Sequence, residues 1–368
     1  MTIERAELRW VRLELRERFE SSAGGRRERP VLLLSLESGD TVGWAECVAL
    51  PEPYYSYETT ETAWHILTEH LLPSVVGITF SSPSDVLRPA ERIRGHPMAR
   101  ATVEMAAWDL SARLEGRSLA DAVGGTRRSV EAGVSVGFQT DDGELFEKVG
   151  SWIEQGYGRI KVKIGPGRDV EMLRRVRSRF PDVALAADGN GSYSLADAAR
   201  LRELDELNLT MLEQPLAWDD LRDHARLQAG IRTPICLDES IRSVNDLLLA
   251  LDLDACRIVN VKPGRVGGLA NAIAIHDVCR ERGVPAWVGG MLESGIGRSH
   301  NVALASLPGF TLPGDLSESR RYWTRDLVTP EFELVDGRLA VPDGLGIGVA
   351  PDLERIEALT VRKAVIPS

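Results

Sequence analysis

Arg159-Ile160-Lys161-Val162-Lys163-Ile164 reads as a short strand that turns two lysines, two residues apart, onto one face. An apolar run ending in an ionisable residue recurs four times downstream, at Ala184–Asp188, Thr210–Glu213, Pro234–Asp238 and Arg257–Lys262. The intervals from Lys163 to Asp188, from Asp188 to Glu213 and from Glu213 to Asp238 are 25 residues each, and Asp238 to Lys262 is 24. That is roughly the length of one β/α unit. Working outward, Val130–Phe138 precedes the series, and Pro285–Gly289 and the less distinct Thr311–Leu316 follow it, making about eight strand signals. Amphipathic stretches such as Asp169–Arg179 and Leu195–Leu204 lie between them, so the strands should run parallel with helical crossovers. Eight such units predict an α/β fold, a (β/α)8 TIM barrel, with the ionisable residues on the face where barrel enzymes build their sites. Polar helix caps explain one or two such strand ends, but not a regular order of acid, acid, acid, lysine.

The first 125 residues read differently. Arg5–Leu15, Val31–Leu36 and Thr41–Val48, with the turn Ser38-Gly39-Asp40, predict an antiparallel meander, and helical periodicity follows over Glu58–Leu72 and Met98–Leu114. This is an α+β unit of its own.

Composition narrows the function. The chain has 368 residues, 43% hydrophobic and 27% charged, with a formal charge of -11, which disfavours nucleic acid and anionic membranes and leaves a small molecule as the expected partner. The charged start and the lack of a long apolar run predict a cytoplasmic protein. Cys47, Cys236, Cys256 and Cys279 lack metal or redox spacing and read as buried thiols.

Adjacent strands would aim Asp188, Glu213 and Asp238 at one point. An oxygen-only set suits a hard cation, Mg2+ with Mn2+ as a substitute. Asn190 and Glu239 could support the ligands or equally serve as turn and cap residues. Lys161 and Lys163 point into the barrel mouth, and Lys262, at the end of the sixth strand, faces them from the other side. A proton next to a carboxylate is weakly acidic and its removal leaves a dianionic enediolate, so a dication to neutralise charge and a lysine to act as base belong together. Arg265 could lower the basicity of Lys262 or simply sit in a loop. His300 reads as structural.

These residues resemble the enolase superfamily and, within it, the muconate-lactonising-enzyme subgroup with its Lys-x-Lys motif and opposed lysine. The motifs are Lys161-Val162-Lys163, Asp188-Gly189-Asn190, Glu213-Gln214-Pro215, Asp238-Glu239-Ser240 and Lys262-Pro263-Gly264-Arg265-Val266-Gly267-Gly268. Gly289-Gly290-Met291-Leu292-Glu293-Ser294-Gly295-Ile296-Gly297-Arg298, Leu312-Pro313-Gly314-Asp315 and Arg265 look like the o-succinylbenzoate synthase / N-acylamino acid racemase branch.

The resemblance implies a capping domain over residues 1–125, a modified barrel over 126–320 and a segment 321–368 that returns to the cap. It implies Asp188, Glu213 and Asp238 as metal ligands and Lys163 and Lys262 as the acid/base pair, with Lys161 assisting, and it suggests a homo-oligomer. Two cap segments, about Phe19–Arg29 and Leu50–Tyr55, would close over the substrate. Phe19, Tyr54 and Tyr55 would contribute specificity or only interdomain packing; Ser135 and Gly290 to Ile296, including Met291 and Ser294, would line the rest. Arg26, Arg27 and Arg29 could favour acidic substrates or merely be solvated, and the glycine-rich Gly189-Asn190-Gly191-Ser192 would loosen its loop.

The expected reactions are dehydration to 2-succinylbenzoate, on the route to menaquinone, and racemisation of N-acylamino acids such as N-succinylamino acids. A muconate cycloisomerase or dipeptide epimerase is the rival; the epimerase should carry a paired aspartate where Asp315 stands alone. A non-catalytic carboxylate-binding barrel is a distant alternative, because no ligand or lysine is missing.

Overall fold

The computed structural model describes residues 1–21, 24–139 and 141–367, with the side chains of residues 18–26 outside the description. Near the N-terminus an antiparallel sheet forms in the order Thr360–Pro367, Arg5–Ser21, Gly24–Ser38, Thr41–Cys47, so the end of the chain adds an edge strand to its beginning. The first two strands pair for longer than their apolar alternation predicts. Helix Pro97–Leu114 lies against this sheet, and Gly43 permits the close approach, since a Cβ there would strike the Ala106 carbonyl and the Leu110 backbone. The predicted helix over 58–72 is an α-helix at Thr60–Ile66, a π turn at Leu67–Leu71 and a last turn at Leu72–Val75, the turn that contains Pro73.

Seven parallel strands follow in chain order: Gly133–Val136, Arg159–Lys163, Leu185–Asp188, Leu212–Glu213, Ile235–Leu237, Ile258–Val261 and Ala286–Val288. The expected first strand over 130–138 is divided, because Ser129–Glu131 pairs instead with Arg338–Ala340. The eighth signal forms no full strand. Phe310 bridges Ala286, Gly314 bridges Ala132, Asp315 N donates to Val288 O at 3.1 Å, and Gly133 N donates to Gly314 O at 2.6 Å. Pro313, without an N–H, limits this segment to a bridge that closes the barrel between its seventh and first strands. The fold is thus an α/β modified barrel with an α+β capping domain.

The barrel interior shows why its mouth is charged. Ala186, Met211, Cys236, Ile258 and Trp287 form one buried apolar layer. Two residues along the same chain segments, hence on the same face, stand Asp188, Glu213, Asp238 and Asn260. Among the described residues no helix is long and apolar enough to cross a membrane, and all four cysteines are buried and free.

Buried carboxylates of the cap fasten it to the barrel. Glu104 accepts hydrogen bonds from Leu269 N at 2.7 Å and Ala270 N at 2.9 Å, at the start of helix Leu269–Arg282, and from Trp108 Nε1. Glu46 accepts from the N–H and hydroxyl of Ser294 at 2.9 and 2.5 Å. Burial pushes the Glu104 carboxyl up to about 7, against the pull of these N–H groups. Folding therefore takes up a proton between about pH 4.5 and 7, so this group's contribution is whole below that window and declines as pH rises through it. Glu104→Gln cannot ionise; its stability relative to the parent should improve between about pH 5 and pH 8 by up to ~3 kcal/mol, at ~1.4 kcal/mol per unit. Urea unfolding at the two pH values checks this, and a pH-independent difference would show that Glu104 does not change protonation.

Candidate active site

The period of two along each strand lifts the ionisable side chains above the apolar layer, where they meet. Lys161 Nζ lies 2.6 Å from Glu213 Oε2, 2.6 Å from Asp315 Oδ2 and 3.3 Å from Asp188 Oδ2. Lys163 Nζ lies 2.6 Å from both Asp188 Oδ2 and Asn190 Oδ1. Lys262 Nζ lies 2.8 Å from Asp238 Oδ2 and donates to the Tyr55 hydroxyl at 3.1 Å, while that hydroxyl donates to Asp238 Oδ1 at 3.2 Å. Arg265 pairs with Asp238 from behind. Lysines on the second strand and at the end of the sixth stand across the barrel from each other, because four of its eight positions separate them.

Burial alone would lower the Lys161 ammonium, but Asp315, Glu213 and Asp188 outweigh it and raise the group. For Lys262, burial is likewise overcome, by Tyr55, Glu239 and Glu213. Burial would raise the Asp188 carboxyl, yet Lys163 and Lys161 hold it low. Cationic side chains (Arg159, Lys161, Lys163, Lys262, Arg265) thus interleave with the acids Asp188, Glu213, Asp238 and Asp315, while burial and the neighbouring Asp188 raise the Glu239 carboxyl.

A cavity open to solvent is lined by Lys161, Lys163, Lys262, Asp188, Asn190 and Glu239. Ser135, Tyr54, Tyr55, Gly290 and Met291 also line it. Glu213 and Asp238 lie beneath, reached through the lysines, and Arg265 is behind Asp238 with its guanidinium on Ile241 O and Asn260 O. Two expectations change. Ser294 is buried as the residue preceding helix Gly295–Ala305 and bonds to Glu46, and Ile296, the second residue of that helix, is wholly buried, so neither lines the cavity. The side chains of Phe19 and Arg26 lie outside the described residues. Arg27 is exposed, whereas Arg29 is buried and donates to the carbonyls of Pro30, Val48, Ala49 and Met291, bracing cap against barrel. The turn at 189–192 is not loose: Asn190 and Gly191 take positive φ, and Gly191 N and Tyr193 N donate to Gln214 O and Pro215 O.

The sequence reading missed several contributors. Asn260, two residues before Lys262 on one strand face, donates to Glu213 Oε1 at 2.9 Å, a position the period of two could have revealed. Gln214 accepts from Asp238 N and Ser240 N, tying neighbouring strand ends together. Arg298, within the seventh-strand motif, and Tyr322, in an irregular stretch without a signal, also border the cavity. His300 bridges the carbonyls of Ile296 and Met105 and is structural.

Among the described residues no three acidic, histidine or cysteine side chains already surround one point, because ammonium groups stand between the carboxylates. The donor chemistry nonetheless fits a hard dication: oxygen donors only, buried, with Glu239 Oε2 enclosed and without a hydrogen-bond partner.

Fold and site together define the class, a capped β/α-barrel protein with paired lysines across a bed of carboxylates. The chain belongs to the enolase superfamily: residues 144–356 match the enolase C-terminal domain-like family, and residues 6–124 match the mandelate racemase / muconate lactonizing enzyme N-terminal domain. It is 49% identical to an o-succinylbenzoate synthase of Geobacillus kaustophilus, over 98% of this chain and 96% of that protein. It is 46% identical to an N-succinylamino acid racemase of Thermus thermophilus, over 98% of both chains. A crystal structure of an enolase superfamily member from Listeria innocua, 40% identical, superposes with a TM-score of 0.96 over 100% of this chain and 99% of that one.

Arg265 is one partner of a buried pair, so its removal leaves Asp238 undercompensated. Arg265→Ala should cost about 3–5 kcal/mol, and Arg265→Lys should recover only part of it, because lysine lacks the planar fork that reaches two carbonyls and a carboxylate. Urea denaturation without substrate measures both; a loss below ~1 kcal/mol for the alanine variant would show that Lys262 alone carries Asp238.

Proposed function

We propose that this enzyme removes the proton next to a substrate carboxylate, acting as an o-succinylbenzoate synthase and an N-succinylamino acid racemase. The observation that carries the reading is the pair Lys163 and Lys262, on opposite sides of one cavity and each already bound to a different carboxylate. Relatives of nearly equal length and similar identity bear both activities, and the interleaved cations and carboxylates suit a dianionic substrate that enters with a dication.

Asp188, Glu213 and Asp238 would hold that ion, Mg2+ with Mn2+ as substitute, and Glu239 and Asn190 would steady them. When bound, it supplies positive charge for the substrate carboxylate as the enediolate forms. Lys163 takes the α-proton on one face. For dehydration it then returns a proton to the departing β-hydroxyl while Lys262 balances the enediolate across the site. For racemisation Lys262 delivers a proton to the opposite face. Lys161 orients the carboxylate as a fixed cation, and Ser135, Tyr55, Gly290 and Met291 shape the pocket, with Phe19 at the cap's hairpin. Dehydration would serve menaquinone synthesis, in the cytoplasm. Residues 1–125 form the cap, 126–320 the barrel and 321–368 the return segment, in a homo-oligomer.

Turnover of the cyclohexadiene precursor of 2-succinylbenzoate and of N-succinylamino acids, measured with Mg2+ on one preparation, tests the reading. Chelation should abolish both activities and Mg2+ should restore them. In D2O, Lys163→Ala and Lys262→Ala should each remove α-proton exchange from one enantiomer of an N-succinylamino acid while lowering racemisation by at least about 10²-fold. Loss of exchange from both enantiomers in each variant, or turnover of neither substrate class by the parent, would count against the proposal.

A further inference from the structure

The three lysines of the cavity are not held alike. Lys163 touches one carboxylate and an amide, and Lys262 touches one carboxylate and a phenol. Lys161 is enclosed by Glu213 and Asp188 on one side and Asp315 on the other, with the Trp287 ring 4.9 Å away. Asp315 is itself committed. Its Oδ2 meets Lys161 and accepts from Ser135 Oγ at 3.1 Å, and its Oδ1 pairs with Arg159, whose guanidinium stacks on Trp287 at 4.1 Å. The backbone of Asp315 is fixed as well, because Asp315 N donates to Val288 O where the barrel closes.

We propose that Asp315 is a positioning residue, which clamps Lys161 in place so that Lys161 is the stationary cation of the site while Lys163 and Lys262 remain free to move protons. The clamp is assembled by barrel closure: strand two brings Arg159 and Lys161, strand one brings Ser135, strand seven brings Trp287, and the closing bridge brings the carboxylate. A lysine side chain has four rotatable bonds, and Asp315, itself held by Arg159 and Ser135, restricts them together with the Trp287 wall, independently of the two carboxylates that would hold the ion. The inference rests on the proposed function only in taking this cavity as catalytic, and its test does not need turnover.

The chain has five lysines, Lys148, Lys161, Lys163, Lys262 and Lys363, so competitive reductive methylation followed by peptide mass spectrometry reads each one separately. In the parent, Lys161 should react most slowly of the five. Asp315→Asn preserves shape but removes the charge; it should speed methylation of Lys161 about tenfold while Lys163 and Lys262 stay within about twofold. Where that variant does not fold, Ser135→Ala releases one contact to the same carboxylate and should speed Lys161 about threefold, again selectively. An unchanged Lys161 rate overturns the proposal. So does equal acceleration at all three lysines of the cavity, which marks general loosening of the barrel. On a substrate the parent turns over, Asp315→Asn should lower kcat about tenfold with KM within about threefold; absence of parental turnover counts against the proposed function alone and leaves the methylation result decisive.

Discussion

Burying charge is the constraint on which the rest of this structure depends. An ammonium or carboxylate withdrawn from water costs several kcal/mol unless an opposite charge and hydrogen bonds receive it. The barrel mouth meets that condition by interleaving: Lys161 between Glu213, Asp188 and Asp315, Lys163 on Asp188, and Lys262 and Arg265 on Asp238. Each strand end is therefore held by a neighbour's side chain as well as by its backbone ladder. Strands of two to five residues, as short as Leu212–Glu213, close a barrel under these conditions because the charged layer adds cross-strand bonds above the apolar one.

The cap follows the same logic. Its buried carboxylates, Glu46 and Glu104, satisfy unpaired N–H groups at the starts of barrel helices, and Arg29 satisfies carbonyls including that of Met291. Arg29 braces Met291, which lines the cavity together with the cap residues Leu50, Tyr54 and Tyr55, so the surface that joins the domains also forms part of the pocket. Tyr55 makes the link direct: its hydroxyl touches both Lys262 and Asp238. The position of Tyr55 on the cap and that of the sixth-strand lysine are thus tied to each other through these two hydrogen bonds.

Much of this was legible from sequence, for a physical reason. A 25-residue recurrence of ionisable strand ends survives in one dimension because each β/α unit repeats the same path, and strand periodicity then fixes which face a side chain takes. Hence Lys161, Lys163, Asp188, Asn190, Glu239 and Lys262 could be named together and are found in one cavity. The loop-borne positions were harder. Ser294 and Ile296 belong to a motif that borders the pocket, but the helix starting at Gly295 turns both into the interior. The sequence 189–192 looked loose for its glycines, whereas those glycines permit a tight turn tied to Gln214 and Pro215.

By itself the sequence determined the barrel, its carboxyl-end ring of acids and lysines, and the membership of that ring, because all three follow from spacing and period along the chain. Only the tertiary structure decided who partners whom. Asp315 reaches Lys161 through barrel closure, Asn260 steadies Glu213, Tyr55 bridges the cap to Lys262, and the eighth strand shrinks to a bridge around Pro313. Those pairings join residues far apart in the chain, and distances of 3 Å between them are set by packing and charge balance that no local pattern encodes.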